Sequence, residues 1–417
     1  MKKVGLIVFI ISFFIIGYFY VVQPINEAID YPNNMYVTTD DIAYANESSD
    51  FAPFIKFNLA DTMAVNGEEV TATTMRIKLF GFLPLKKVKV KLINSPEVYV
   101  GGNIVGFSLN TEGVVVVGSN AVFTREGSCE PILASGLKEG DSIKAIEDQE
   151  IKSVYDIDKI LNSIEYAGKD VEITVNRDNQ EFKCSITPAL DVFTQKYKLG
   201  LWVKNSTSGV GTLTYVKKDN NRFGAVGHSL ADATLGDNYK VAEGDVYLCN
   251  LLGIKKGTKN APGEIRSTMK LSDDAIGVAD TNCKYGVYGN ILNVNKLNLI
   301  DDYSLGGRMS VKPGKAKIFA CLDDGGVKAY DIKIIKTNHQ DNADDKSIVF
   351  KVTDKELIKK TGGIIQGMSG CPIIQNNKLV GAVTHVFIND PTKGFGVYVD
   401  WMYDNWFLKF SNNIFYF

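Results

Sequence analysis

At 417 residues, 45% of them hydrophobic, the chain is long enough for two or three domains with proper cores. Its formal net charge of -2, with no long block of like charge, gives no basis for a nucleic-acid partner. Thirty-eight glycines against 23% charged residues argue for turn-rich, mainly β structure rather than helical bundles.

Residues 1–22 open with Met1-Lys2-Lys3 and continue as an apolar run from Val4 to Val22. That is about the length of a bilayer-crossing helix, and the two lysines predict a cytoplasmic N-terminus for such an anchor. A cleaved signal peptide is the competing reading, although no small-x-small site is evident around Val21-Val22-Gln23-Pro24. Under either reading the chain from about Gln23 onward is exported, extracytoplasmic, and membrane-anchored if the segment stays. The six cysteines form no Cys-x-x-Cys motif and no dense disulfide framework. No metal or organic cofactor motif is present, so no cofactor is expected.

Residues 23–96 read as a polar stalk of limited structure to about Asp61, then a ribbon from Met75 to Leu92. There, apolar and basic residues alternate on both sides of a Gly-Phe-Leu-Pro turn, which predicts two paired strands with one basic face. That face is read either as a solvated edge guarded by lysines or as a membrane-surface contact.

Residues 97–190 form the next unit. Gly101-Gly102-Asn103-Ile104-Val105-Gly106-Phe107 predicts a glycine loop running into a strand with a free edge for a peptide. Gly140-Asp141-Ser142-Ile143 gives a turn and a strand, and Val154 to Ile164 has helical spacing. This resembles a PDZ domain of the protease-associated kind, a likeness that implies peptide binding by Val105, Gly106 and Phe107.

In residues 191–417, short strands alternate with glycine turns, and the first helix-like run is Asp354 to Lys360. Gln366-Gly367-Met368-Ser369-Gly370-Cys371-Pro372-Ile373-Ile374 holds a serine between glycines. Gly367 and Gly370 tolerate tight-turn geometry and leave amides free to face an oxyanion. The turn Asn376-Asn377 and the run Leu379 to Val383 complete a hairpin. The pattern resembles the nucleophile region of chymotrypsin-like serine proteases. Of the three histidines, His228 ends an apolar strand at Gly227 and suits a general base. His339 reads as a loop residue, and His385 as a pocket-lining or core histidine.

With the N-terminal segment and the PDZ-like unit, Gly227-His228, Gly362 to Gln375 and Gly381-Ala382-Val383-Thr384-His385 resemble the stage IV sporulation protein B family of serine peptidases. The resemblance implies a chymotrypsin-like double β-barrel with Ser369 as nucleophile, His228 as general base, Asp354 as acidic member, and Gly367 and Ser369 as oxyanion donors. Asp354 also suits a helix N-cap, and Asp232, Asp273, Asp274 and Asp280 stay open as orienting groups. Cys371 stands where the family usually has serine, and its place beside Pro372 argues against it as nucleophile. The uncharged Met368 excludes activation by an ion pair at that position. The resemblance further implies location between the two membranes around a forespore, self-cleavage in the N-terminal segment, and cleavage of an extracytoplasmic segment of a membrane regulator in sporulation signalling. A non-catalytic PDZ scaffold and a general quality-control protease are the alternatives.

Overall fold

The computed structural model describes residues 11–12, 17–18, 22–48, 54–59, 71–92, 97–163, 168–177, 180–230, 241–269, 271, 274–338 and 344–408. The apolar run from Val4 to Val22 lies mostly outside these residues. Among the described residues no helix is long and apolar enough to cross a membrane.

The molecule is mainly β. Residues expected to form a stalk fold instead into α1 (Gln23–Asp30), β1 (Asn34–Val37), α2 (Thr39–Ser48) and β2 (Ile55–Leu59). The expected ribbon is present as β3 (Thr71–Leu79) and β4 (Leu83–Leu92), antiparallel, but it forms the middle of a sheet rather than standing alone. β2 pairs with β3, and β1 runs parallel beside β4. Met75, Ile77, Val88 and Val90 face one core with Ala28, Tyr31, Ile42 and Phe57. Polar composition suggested a stalk because the apolar residues of this segment are sparse. Those few are nevertheless the ones that cover the ribbon's apolar face.

β5 (Ile104–Ser119) serves two units. Its second half joins β6 (Ser142–Ile146), β7 (Val171–Arg177) and β8 (Gln180–Ile186) in a small sheet on which α3 (Val154–Leu161) packs. Ser153 and Asp156 cap that helix reciprocally. Asp141 is buried, and Arg177 donates to both of its carboxylate oxygens at 2.6 and 2.7 Å. The Gly-Asp-x-Ile stretch thus owes its aspartate to an internal ion pair.

The first half of β5 belongs to a barrel. β9 (Leu201–Lys217) pairs with β5 toward both of its ends, over Ile104 to Asn110 and again from Val115 to Ser119, so the small sheet is inserted between two strands of that barrel. With β10 (Arg222–Ala225), β11 (Val241–Lys255), β12 (Gly277–Cys283) and β13 (Gly286–Ile291), six antiparallel strands among the described residues close in the order β5-β9-β10-β13-β12-β11-β5. Val105, Phe107, Leu109, Leu213, Phe223 and Val246 fill it.

This placement corrects the expected peptide loop. Val105, Gly106 and Phe107 lie in mid-strand, paired to Gly211, Val210 and Gly209 on one side and to Leu248, Tyr247 and Val246 on the other. No free edge remains there. A Cβ at Gly106 would lie 2.5 Å from Met269 Sδ, so the glycine allows close packing there.

A second ring of six antiparallel strands among the described residues follows: β14 (Gly314–Cys321), β15 (Val327–Thr337), β16 (Ile348–Val352), β17 (Pro372–Gln375), β18 (Lys378–Val386) and β19 (Lys393–Tyr398). They close as β14-β15-β16-β19-β18-β17-β14 around Ile318, Ile332, Phe350, Ile373 and Val383. The predicted hairpin turn is real: Asn376 and Asn377 adopt φ of 51° and 60°, a conformation asparagine tolerates. α4 (Lys355–Thr361) precedes the serine turn, and α5 (Val399–Leu408) follows the barrel.

The N-terminal unit is joined to the second barrel at a buried charge cluster. Met309, beside Arg308, packs into the N-terminal core. Arg308 Nε donates to Asp400 at 2.6 Å, and the guanidinium lies 4.0 Å from the centroid of the Trp401 ring. Gly307 N donates to the buried Asp41 at 3.2 Å. Replacing one member of such a pair strands the other charge in the interior. Arg308→Met should therefore lower the unfolding free energy by about 3–5 kcal/mol, and adding Asp400→Leu should recover most of that loss. Urea unfolding of the two variants checks both statements.

Candidate active site

The serine turn belongs to the second barrel but is held by the first. Thr212 Oγ1 donates to Gly367 O at 2.8 Å, Thr212 N to Ser369 O at 2.8 Å, and Thr214 Oγ1 to Gly370 O at 2.7 Å. Both threonines are buried. Three carbonyls of the turn are thereby pinned toward β9.

The amides divide in a regular way. Those of Gln366, Met368, Gly370 and Cys371 donate to Gly263, Ile365, Val383 and Met368, respectively. Among the described residues, the amides of Gly367 and Ser369 donate to no protein acceptor. These two are the expected oxyanion donors. Left-handed φ values at Gly367 (94°) and Gly370 (96°) set the alternation. A Cβ at Gly370 would lie 2.0 Å from Thr212 O, so no other residue fits.

Met368 fills the barrel core as an uncharged anchor. Cys371 is fully buried, and burial pushes its thiol up to about 12 while it donates weakly to Thr212 Oγ1. Such a thiol is no nucleophile at neutral pH. Ser369, half-buried, donates its hydroxyl to Thr384 O at 2.8 Å. All six cysteines are free thiols.

His228 reaches the same place from the first barrel. β10 ends at Ala225, and Val226 and Gly227 turn the chain with φ of 70° and 76°. A β-branched residue in that region is strained, and it is held by Val226 N donating to Thr212 O at 3.1 Å. A Cβ at Gly227 would lie 3.1 Å from Thr384 Cγ2 on a backbone already in the left-handed region, so a larger residue would be strained where the two barrels meet. The His228 Nδ1 atom lies 2.7 Å from Ser229 O. A carbonyl only accepts, so Nδ1 carries the proton and Nε2 is the basic nitrogen. The His228 and His385 rings lie 5.1 Å apart at 37°. Ser369 and His228 thus converge on the Thr384-His385 pair of β18.

Asp354 is engaged elsewhere. One carboxylate oxygen accepts from Leu357 N at 2.9 Å as the N-cap of α4, and the other accepts from Asp331 N at 3.3 Å. These bonds favour the cap reading over the implied triad role. Asp280 pairs with Arg222 at 2.9 and 3.1 Å, and Asp274 faces Lys296 from the surface. Asp232, Asp273 and His339 lie outside the described residues. The acid beside a site histidine is Asp345, whose Oδ2 lies 3.7 Å from His385 Nδ1. Sequence reasoning missed Asp345, since a loop aspartate in Asp344-Asp345 carries no motif. It also missed Thr212 and Thr214, whose only signal is polar residues on a strand buried on both faces. Among the described residues, no three His, Cys, Asp or Glu are grouped as a metal ion requires.

The family model described as SpoIVB peptidase S55 matches residues 195–403, half of the chain, a range containing Ser369, His228, His385 and Asp345. None of the curated proteins compared with the chain matches it. Among solved structures, the crystal structure of the Rv3671c protease in its inactive form is similar at 12% identity and a TM-score of 0.25. That likeness covers 48% of this chain and 83% of the other, and it is too slight to bear on the site.

Thr212→Val removes the bond to Gly367 O while keeping the side chain's size. It should lower stability by about 1–2 kcal/mol and slow labelling of Ser369 by a fluorophosphonate more than about tenfold, because the turn loses its alignment. Unfolding curves and labelling rates measured on the same preparation separate the two effects.

Proposed function

Because the chain belongs to the SpoIVB peptidase S55 family, we propose that this peptidase is a serine endopeptidase acting through Ser369 and His228 in a chymotrypsin-like double barrel. The observation that carries the reading is the pair of uncommitted amides at Gly367 and Ser369, fixed beside a half-buried serine hydroxyl. In the reaction, the Ser369 hydroxyl turns from Thr384 O to His228 Nε2 and gives up its proton as Oγ attacks a peptide carbonyl. The two amides receive the oxyanion, each donor being worth about 3 kcal/mol. His228 then protonates the leaving amine, and a water molecule releases the acyl group by the same steps. The proton on Nδ1 is held by Ser229 O, so the base is oriented without Asp354.

The setting follows from the family resemblance and the first 22 residues. The enzyme is tethered by its N-terminal segment between the membranes around a forespore. There it cuts itself near that segment and cuts an extracytoplasmic segment of a membrane regulator, so that a sigma-factor precursor is processed. The inserted small sheet is the PDZ-like unit. Because β9 runs from it to Thr212, a peptide held there would act on the strand that fixes the serine turn.

Full-length protein in detergent, followed by gel and intact mass, should yield fragments that are absent from Ser369→Ala and from His228→Ala preparations. Fragments persisting unchanged in both variants would overturn the reading.

A further inference from the structure

We propose that His385 and Asp345 are positioning residues for the base, a line Asp345–His385–His228 that stabilises the His228 imidazolium formed when Ser369 loses its proton. The proposal rests on the serine-peptidase reading above and adds to it.

His228 becomes a cation in a half-buried place, with its Nδ1 2.7 Å from Ser229 O. A carbonyl dipole compensates a buried charge less than an anion does. The tilted His385 ring stands 5.1 Å away, and behind it is the Asp345 carboxylate at 3.7 Å. His385 Nδ1 is buried without a hydrogen bond, so a small closing motion would bring it onto Asp345. The backbone ties these parts together: Thr384 Oγ1 donates to Asp345 O at 2.6 Å, and Thr384 O accepts from Ser369 at 2.8 Å. Burial, with His228 and Lys346 nearby, pushes His385 down to about 4. At neutral pH it is therefore uncharged, and the cation forms on His228. Burial and Asp344 raise Asp345, while Lys346 and Lys284 oppose that rise. The proton moves from Ser369 Oγ to His228 Nε2, and neither His385 nor Asp345 exchanges one.

The test is the rate of Ser369 labelling by a fluorophosphonate across pH in the full-length chain, which needs no peptide substrate. Asp345→Asn and His385→Gln should each slow labelling at pH 7 by about tenfold. Removing the anion disfavours an imidazolium, so the acid limb for Asp345→Asn should move to lower pH by about half a unit, and Asp345→Glu should restore it. A merely structural role would lower the rate without moving the limb. Should Asp345→Asn fail to fold, His385→Gln carries the test. Unchanged rates and limbs, a lowered rate with an unmoved limb, or a limb shift found in Asp354→Asn instead, overturn the proposal. Labelling that persists in Ser369→Ala overturns the serine reading and this inference with it. Labelling lost in Ser369→Ala but unaffected by the other variants overturns only the inference.

Discussion

The site depends on three hydrogen bonds that Thr212 and Thr214 make from the first barrel to the carbonyls of Gly367, Ser369 and Gly370 in the second. A glycine-rich turn has many conformations of similar energy, and its amides point outward together in few of them. Pinning the carbonyls selects one conformation. The same Thr212 also accepts from Val226 N, so one residue fixes both the serine turn and the strained turn that delivers His228. The placement of Ser369 and His228 is a property of the contact between barrels, where a shift of one barrel would move both groups at once.

Burial around the turn has a chemical consequence as well as a structural one. Met368 and Cys371 flank Ser369 on the barrel side, one apolar and the other a thiol held protonated by its surroundings. His385 is kept neutral by the same effect. On the proposed reading, the hydroxyl of Ser369 and Nε2 of His228 are the reacting groups and the uncommitted amides the oxyanion donors. The Ser369 hydroxyl rests on Thr384 O, the bond it gives up in the proposed reaction.

The units outside the barrels connect to this centre along continuous structure. β9 passes from the inserted sheet to the threonine contacts, pairing with β5 on both sides of an irregularity between Lys204 and Ser206. The N-terminal unit meets the second barrel through the cluster of Arg308, Asp400 and Asp41. A rotated interface would leave these buried charges unpaired, which costs free energy.

Local chemistry was legible in the sequence. Glycines around Ser369, Asn376-Asn377 before an apolar run, Gly227 before His228, and alternation in β3 and β4 each state a backbone requirement within a few residues, and each is met. The capping tendency of Asp354 was legible for the same reason. Pairing between distant strands was decided by the tertiary structure alone. Val105-Gly106-Phe107 reads equally well as a peptide-binding loop or a barrel strand, because periodicity does not say whether an edge is covered, and here β9 and β11 cover both. The polar segment before Asp61 folds because the apolar face of the ribbon needs a cover, which composition does not record. Thr212, Asp345 and His385 gain their places from residues as far as 159 positions away in the chain. Barrel closure brings such residues together at no signal in the local sequence, since each alone is an ordinary strand or loop residue.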